Sequence, residues 1–369
     1  MKVGILTFHW ATNYGAVLQA YALQSYLSQL YKEVKIIDYL PANHEKKFAK
    51  IFLTKRPSQI GPRILEYAKE QRFIKFRDLH LNLTDRYSSS NELQSTPPKC
   101  DAYICGSDQI WNPSFTISGE GKKTLSYFLD FGNETTARIA YAVSFGCENY
   151  PVEAAELVIP ELKRFNAISV REKSGCKIIR NFGLKDPEIM PDPSLLLSSY
   201  DYDKLCDGMV SYPNNFNFFY YIHNNQQTIH EIETYFRAFF KERVISTRSS
   251  KYATISINQW LAFIKKAKTV VTNSFHGLVF SIIFKKNFIV IPVEGQLHGM
   301  NDRVYTLLNQ LGLQNRLVDS CSKEKLNMAL STQIDWDQVE NRIQELRKAA
   351  LIFFKTSIVS TQEKNFSNI

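Results

Sequence analysis

The sequence predicts an α/β protein made of two Rossmann-like domains facing a cleft. Three observations lead there. Short β-branched and aromatic runs alternate with segments of helical period, as in parallel strands joined by crossover helices. A stretch rich in Ser, Tyr, Asp, Pro and Asn, residues 198–215, interrupts the alternation, and a fresh strand pattern opens behind it. Strand-like runs end repeatedly in polar clusters, the place where open parallel sheets bind ligands. At 369 residues the chain suffices for two domains of roughly 100–200 residues each. The predicted division is 1–200, 201–335, and a C-terminal helix and tail, 336–369.

The elements follow in order. MKVGILTF is a buried strand and HWATNYGA a loop. In VLQAYALQSYLSQLY, Val17, Leu18, Tyr21, Leu23 and Leu27 fall near helical spacing. EVKIIDY (33–39) is the next strand, so the chain opens with a βαβ unit. CDAYICGSDQIW (100–111), ARIAYAVSFG (137–146), NAISVREKSG (166–175) and EIMPDPSLLL (188–197) each read as a strand and a polar turn. Beyond the break, FNFFYYI (216–222) is a strand, QTIHEIETYFRAFFKE a helix, VISTRS a strand and INQWLAFIKKA a helix. TVVTNSFHGLVFSIIFKKNFIVI (269–291) reads strand, turn, helix, strand. WDQVENRIQELRKAALIFFKTSI (336–358) is a long amphipathic helix.

Five polar clusters fall at strand ends: His9–Gly15, Gly106–Asn112, Ser144–Gly146, Arg171–Gly175 and Thr272–Gly277. In the last, Thr272, Asn273 and Ser274 are residue types whose side-chain oxygens cap a helix start. His276 is then expected in the first helical turn, where the backbone favours an anion such as a phosphate or carboxylate. The competing reading is that His276 fills a hinge. No G-x-G-x-x-G, G-x-x-x-x-G-K-[ST] or G-x-S-x-G is present, which disfavours nicotinamide, flavin and P-loop nucleotide sites and a nucleophile elbow.

Composition narrows the class further. Hydrophobic content of 44% and charged content of 22% are those of a soluble globular chain. Lys2 is followed at once by strand-like sequence, so no signal peptide is expected, and no apolar run reaches spanning length. The six cysteines show no metal-ligand spacing and read as reduced core thiols of a cytoplasmic protein; no metal site is expected. Net charge is +9, and residues 45–78 supply +6 of it, ten Lys/Arg against four acids. Lys46, Lys47, Lys50, Lys55 and Arg56 interleave there with Phe48, Ile51, Phe52 and Leu53. Such a segment suits the anionic inner face of the cytoplasmic membrane, or is simply a solvated helical face. No nucleic-acid motif accompanies the charge.

Seven segments occur in the same order in the polysaccharide pyruvyl transferase family, which the chain resembles. They are NYGAVLQAYAL (13–23), YICGSDQIWNP (103–113), IAYAVSFG (139–146), ISVREKSG (168–175), PDPSLLL (191–197), TNSFHGLVFSIIF (272–284) and RVYTLLNQLGL (303–313). The resemblance runs to about residue 350. It implies a glycosyltransferase-B-like fold, with the first domain on the acceptor side and the second on the donor side. It further implies transfer of the pyruvyl group of phosphoenolpyruvate onto a hydroxyl pair of a saccharide, often lipid-linked, forming a cyclic ketal in capsular or exopolysaccharide biosynthesis. Phosphoenolpyruvate is a substrate, and no cofactor is implied.

Residue chemistry and the resemblance together suggest roles. His276 is the candidate acid, and Asp108 the candidate base for the sugar hydroxyl unless it serves only as a turn or cap. Arg171 matches a family arginine and offers a planar fork to a carboxylate or phosphate. Where better-studied branches carry Arg-x-His, this chain has Ser274, and Arg303 is the expected replacement cation. Asn273, Ser274 and Gly277 are expected to present the helix start to the donor. Asn13, Gly15, Gly106, Ser107, Ser144 and His9 are expected around a ligand, the glycines allowing close backbone approach. Trp111 and Trp10 are sugar-stacking candidates or core residues. Two alternatives are a nucleotide-sugar glycosyltransferase and a non-catalytic, membrane-associated saccharide-binding protein, the latter suggested by Ser274.

Overall fold

The structure, a computed structural model, describes residues 1–45, 57–206, 213–222, 227–239, 243–249, 251–319 and 322–366. The chain divides into two compact units. Unit 1 comprises Met1–Glu45, Arg77–Leu196 and Gln344–Ile369; unit 2 comprises Lys46–Phe76 and Leu197–Ile343. The sequence had suggested one crossing near residue 200, with 45–78 in the first domain and 336–369 standing apart. The difference has a simple origin. Two crossings fall inside continuous helices, Ile60–His80 and Trp336–Phe366, whose periodicity does not change where the chain passes between units.

The elements of the first half are β1 (Lys2–Leu6), α1 (Tyr14–Leu27), β2 (Glu33–Tyr39), α2 (Ile60–His80), β3 (Leu83–Tyr87), α3 (Ser90–Ser95), β4 (Ala102–Cys105), α4 (Pro113–Ser118), β5 (Ala137–Val143), α5 (Val152–Leu162), β6 (Ala167–Val170), α6 (Lys173–Asn181) and β7 (Glu188–Ile189). Then come α7 (Ser199–Asp203), β8 (Phe216–Tyr220), α8 (Gln227–Phe239), β9 (Arg243–Ser246), α9 (Ile257–Lys266), β10 (Thr269–Thr272), α10 (Phe275–Ile283), β11 (Asn287–Val290), α11 (Asp302–Leu311), α12 (Lys323–Ser331) and α13 (Trp336–Phe366).

Unit 1 holds a parallel sheet in the order β3-β2-β1-β4-β5-β6-β7. Its order reverses between β1 and β4, the position at which open parallel sheets bind ligands. Every residue of β5 is buried, as expected of a central strand covered on both faces. Unit 2 holds a smaller parallel sheet, β11-β10-β8-β9, whose order reverses between β8 and β10. Much of the aromatic content lies in the cores: Phe218 stacks on Phe263 at 5.4 Å, and Trp260 meets Phe280 edge-on at 5.4 Å. No helix among the described residues is long and apolar enough to cross a membrane.

A loop of unit 1, residues 129–136, is fixed by one buried side chain. Arg138, on β5, donates to the carbonyls of Leu129 (3.0 Å), Phe131 (2.8 Å), Asn133 (3.2 Å) and Thr136 (3.0 Å). In the same loop burial pushes the Asp130 carboxyl up to about 6, against a 2.6 Å hydrogen bond from Gln94 Nε2. The folded value lies above the ordinary one, so this carboxyl's contribution to stability is fully present at acid pH and is lost as pH rises through about 6. Asp130→Asn is expected to raise neutral-pH stability by about 1–2 kcal/mol. It should also flatten the stability profile between about pH 4 and pH 7, as paired thermal melts across that range will show.

Candidate functional site

Unit 1 gathers its polar side chains at the carboxyl ends of β1, β4, β5 and β6. Gln19, on α1, is the first link. Its Nε2 donates to Thr7 Oγ1 (2.8 Å), and its Oε1 accepts from the Ser107 amide (3.1 Å), tying the β1 and β4 loops together. Ser107 Oγ donates to the Ala142 carbonyl at 2.8 Å, beyond β4. Ser144 holds the same turn from the other side: its amide donates to the Asp108 carbonyl (2.9 Å) and its carbonyl accepts from the Trp111 amide (3.3 Å).

Arg171 sits at the centre, fully enclosed. Its Nη1 donates to Asp192 Oδ2 at 2.7 Å and approaches Ser107 Oγ at 3.4 Å. Glu172 lies 3.7 Å from Nε, and Asp108 lies 3.8 Å from Nη2. Burial disfavours the guanidinium charge, but the three carboxylates together outweigh it and push its pKa up. The expected open fork for a donor anion is therefore corrected: the guanidinium is already matched by carboxylates of its own chain. Asp192 is a residue that sequence reasoning left without a role. It reads as a turn residue in Pro-Asp-Pro-Ser, and its Oδ1 does accept from the Ser194 amide at 2.9 Å. Its second oxygen, on Arg171, is a tertiary contact that no local pattern announces. Asp108 stands at the edge of this cluster, its side chain 14% exposed, at a positive φ of 63°.

Several other expected ligand contacts are filled by the protein itself. Trp111 is fully buried, stacked 5.1 Å from Phe128, with Nε1 donating to the Tyr127 carbonyl, so no ring face is open to a sugar. Trp10 is half-buried, lies 4.6 Å from the His44 ring and donates to Tyr127 Oη. His9 is buried against Asp38, with Nε2 2.9 Å from Oδ1, and bridges the ends of β1 and β2 rather than lining a pocket. Burial pushes the Asp38 carboxyl up, but His9 and Arg86 outweigh it and hold the pKa below the usual range. Asn13 caps α1 by accepting from the Gly15 amide at 2.9 Å, which accounts for both residues locally. At Gly106, φ is +132° and an added Cβ would overlap the Tyr141 carbonyl oxygen; the close approach is to a neighbouring strand, not to a ligand.

In unit 2, Asn273, Ser274, His276 and Gly277 lie at the end of β10, beside the reversal of strand order. Ser274 is the N-cap of α10, its hydroxyl accepting from the Gly277 amide at 3.3 Å. Asn273 Oδ1 accepts from the Ile222 amide at 2.8 Å and so ties the end of β10 to the end of β8. At Gly277 an added Cβ would overlap Thr272 Oγ1, which fixes how tightly the helix start seats on its strand. His276 follows in the first turn, 6% exposed, its ring edge-on to Phe275 at 5.3 Å. Arg303, on α11, places its guanidinium carbon 5.6 Å from the centroid of the same Phe275 ring. Asn301 anchors this helix start: its Oδ1 accepts from the Val293 amide and its Nδ2 donates to the Val293 carbonyl, both at 2.7 Å. Phe275, shared by the imidazole and the guanidinium, and Asn301 were not foreseen from sequence. The only hint at Phe275 is its position between Ser274 and His276.

The two units thus present two centres: an acid-rich one around Arg171 and one with an imidazole, a guanidinium and a helix start. The polysaccharide pyruvyl transferase family profile matches residues 13–295, and the chain belongs to that family. No curated protein sequence matches it. Among solved structures, a UDP-N-acetylglucosamine 2-epimerase from Rickettsia bellii superposes with a TM-score of 0.51 at 8% identity, over 98% of this chain and 97% of that one. The wall teichoic acid polymerase TagF superposes with a TM-score of 0.50 at 8% identity, over 98% of this chain and 89% of that one. At such identities the likeness concerns the fold, an α/β architecture of the glycosyltransferase-B type with parallel sheets, as the sequence implied.

Gly106→Ala is expected to destabilise the protein by about 3 kcal/mol or more, from the overlap with Tyr141 and the left-handed φ together. Chemical denaturation of both proteins checks this; a change below about 1 kcal/mol removes the close-packing account of this glycine.

Proposed function

We propose that the protein transfers the pyruvyl group of phosphoenolpyruvate to a hydroxyl pair of a saccharide, closing a cyclic ketal and releasing phosphate. The observation that carries this reading is the trio of His276 and Phe275 at the start of α10 and Arg303 at the start of α11, imidazole and guanidinium both against the Phe275 ring. It supplies a titratable proton carrier, a permanent cation and helix-start amides within one small region, which is what a donor with a carboxylate and a phosphate needs. Charge distribution favours the same side. Unit 2 holds 25 Lys/Arg against 15 Asp/Glu, +10, whereas unit 1 holds 20 against 21, −1. A polyanionic donor is drawn to the positive unit.

The chemistry has four steps. A general acid gives a proton to the methylene carbon of the enol, to be replaced by one that the sugar hydroxyls release, leaving an oxocarbenium-like centre at C2. One sugar hydroxyl attacks C2 and gives up its proton. The C2–O bond to phosphate breaks, and phosphate leaves with a proton supplied by an acid. The neighbouring hydroxyl then attacks C2, losing its proton and closing the ring. Arg303 and the α10 amides hold the phosphate, and His276 delivers the proton to it. Asp108, held beside Arg171 in unit 1, is the candidate base by its chemistry alone. Arg303 stands in for a cation at Ser274: from the neighbouring helix it shares the Phe275 ring that separates Ser274 from His276. The acceptor is a lipid-linked saccharide of a capsular or exopolysaccharide pathway at the inner membrane face, and phosphoenolpyruvate is consumed as substrate with no cofactor.

The test is phosphate release from phosphoenolpyruvate with a panel of lipid-linked saccharides, the product being followed by mass spectrometry for the pyruvyl increment. His276→Ala is expected to lower kcat on the order of 100-fold or more, with acceptor binding retained. Arg303→Met is expected to raise the donor KM on the order of tenfold or more, with Arg303→Lys recovering part of that loss. Release of a nucleotide from a sugar donor in place of phosphate would move the protein to the glycosyltransferases.

A further inference from the structure

The basic stretch with Lys46, Lys47, Lys50, Lys55 and Arg56, to which the proposed chemistry gives no role, lies outside the described residues. The clamp at the start of α11, likewise without a role in that chemistry, is fully described. Asn301 is 5% exposed and occupies the N-cap position of α11, yet among the described residues its side chain makes no cap there. Asparagine is one of the residue types that cap best, so this side chain is committed elsewhere. Both ends of its amide close on one residue eight positions back: Oδ1 accepts from the Val293 amide and Nδ2 donates to the Val293 carbonyl, each at 2.7 Å. Bonded twice to one residue, the side chain is fixed in orientation as well as position.

The clamp leads back to the residue that seats α10. Two positions before Val293, the Ile291 amide donates to the Thr272 carbonyl at 2.9 Å. Thr272 Oγ1 accepts from the Ser274 amide at 3.0 Å, at the start of α10. One residue thus serves as the reference for both helix starts. Through Ser274 it fixes the helix that carries His276; through Ile291, Val293 and Asn301 it fixes the helix that carries Arg303.

We infer that Asn301 is a positioning residue: it holds the start of α11 so that the Arg303 guanidinium stays against Phe275, and it thereby sets the affinity for the anionic donor. The effect on the donor rests on the function proposed for this site; the placing of Arg303 does not. A shift on the order of 1 Å is enough to weaken a site built for one small anion. His276 stays on α10, so the loss falls on donor binding and not on proton delivery.

The unaltered chain, Asn301→Ala, Arg303→Met and the double variant, compared in the phosphoenolpyruvate assay, test this. Asn301→Ala is expected to raise the donor KM roughly fivefold with kcat within about twofold. Added to Arg303→Met, it is expected to raise KM no further, because it acts through that side chain. An unchanged KM for Asn301→Ala, or a multiplied effect in the double variant, overturns the inference. So does a lower melting temperature with KM unchanged, which would make Asn301 structural alone. Should Asn301→Ala fail to fold, Asn301→Ser, which keeps at most one bond to Val293, is the milder variant, with a raised KM again expected. Crystal structures of the unaltered chain and the variant need no substrate. The Arg303 guanidinium is expected to move off Phe275 by on the order of 1 Å or more; an unmoved guanidinium overturns the inference. If the unaltered chain releases no phosphate from phosphoenolpyruvate, the proposed function falls, and the crystal structures still decide what Asn301 does.

Discussion

Gly277 has no room for a side chain. The atom that crowds it, Thr272 Oγ1, donates to the Tyr220 carbonyl at 2.6 Å and so cannot swing away without losing a bond between β10 and β8. This contact sets the angle and depth at which α10 leaves its strand. Everything proposed for the donor depends on it. Ser274 reaches the Gly277 amide because the turn is this tight, and His276 lands in the first helical turn. Phe275 then faces Arg303 across the gap between α10 and α11. A helix start displaced by a single methyl group would separate the three groups that the proposal sets around one small anion.

The acid-rich centre of unit 1 follows a different logic. One guanidinium stands among three carboxylates, so the cluster carries more negative than positive charge in a place largely closed to water. Buried charge of this kind is tolerated when geometry and hydrogen bonds satisfy it. Here Asp192 is fixed by the Ser194 amide and Glu172 accepts from the Phe145 amide at 3.1 Å. Asp108 is the member nearest solvent, and its backbone is held in a left-handed conformation by the turn around it.

Much of the fold was legible because parallel strands covered on both faces have few choices of residue. ARIAYAV and TVVT read as strands for the same reason that they are buried. The cap at Ser274 was legible too, since Thr-Asn-Ser ahead of an apolar run has a local physical meaning. What stayed hidden is what depends on distant partners. Arg171 looks like an available fork until Asp192, Asp108 and Glu172 are brought round it. Trp111 looks like a sugar platform until Phe128 and Phe145 close over it. Arg138 reads as an interruption in a strand, because the carbonyls it gathers belong to a loop without any periodic signal. The crossings inside α2 and α13 left no mark because a helix keeps its period wherever the chain is heading.

The last crossing has a consequence for the order in which the protein is made. Unit 1 opens the chain but is completed by Gln344–Ile369, synthesised after every residue of unit 2. Phe354 then stacks on Tyr141 at 4.5 Å, and Arg347 Nε donates to the Leu195 carbonyl at 2.7 Å, closing over residues that emerged long before it, Leu195 by 152 positions. A nascent chain stalled at residue 343 therefore holds all of unit 2 and a unit 1 whose face at Tyr141 is still bare. On the ribosome the later unit can fold first, and the earlier one waits, with apolar surface open to chaperones, for its closing helix.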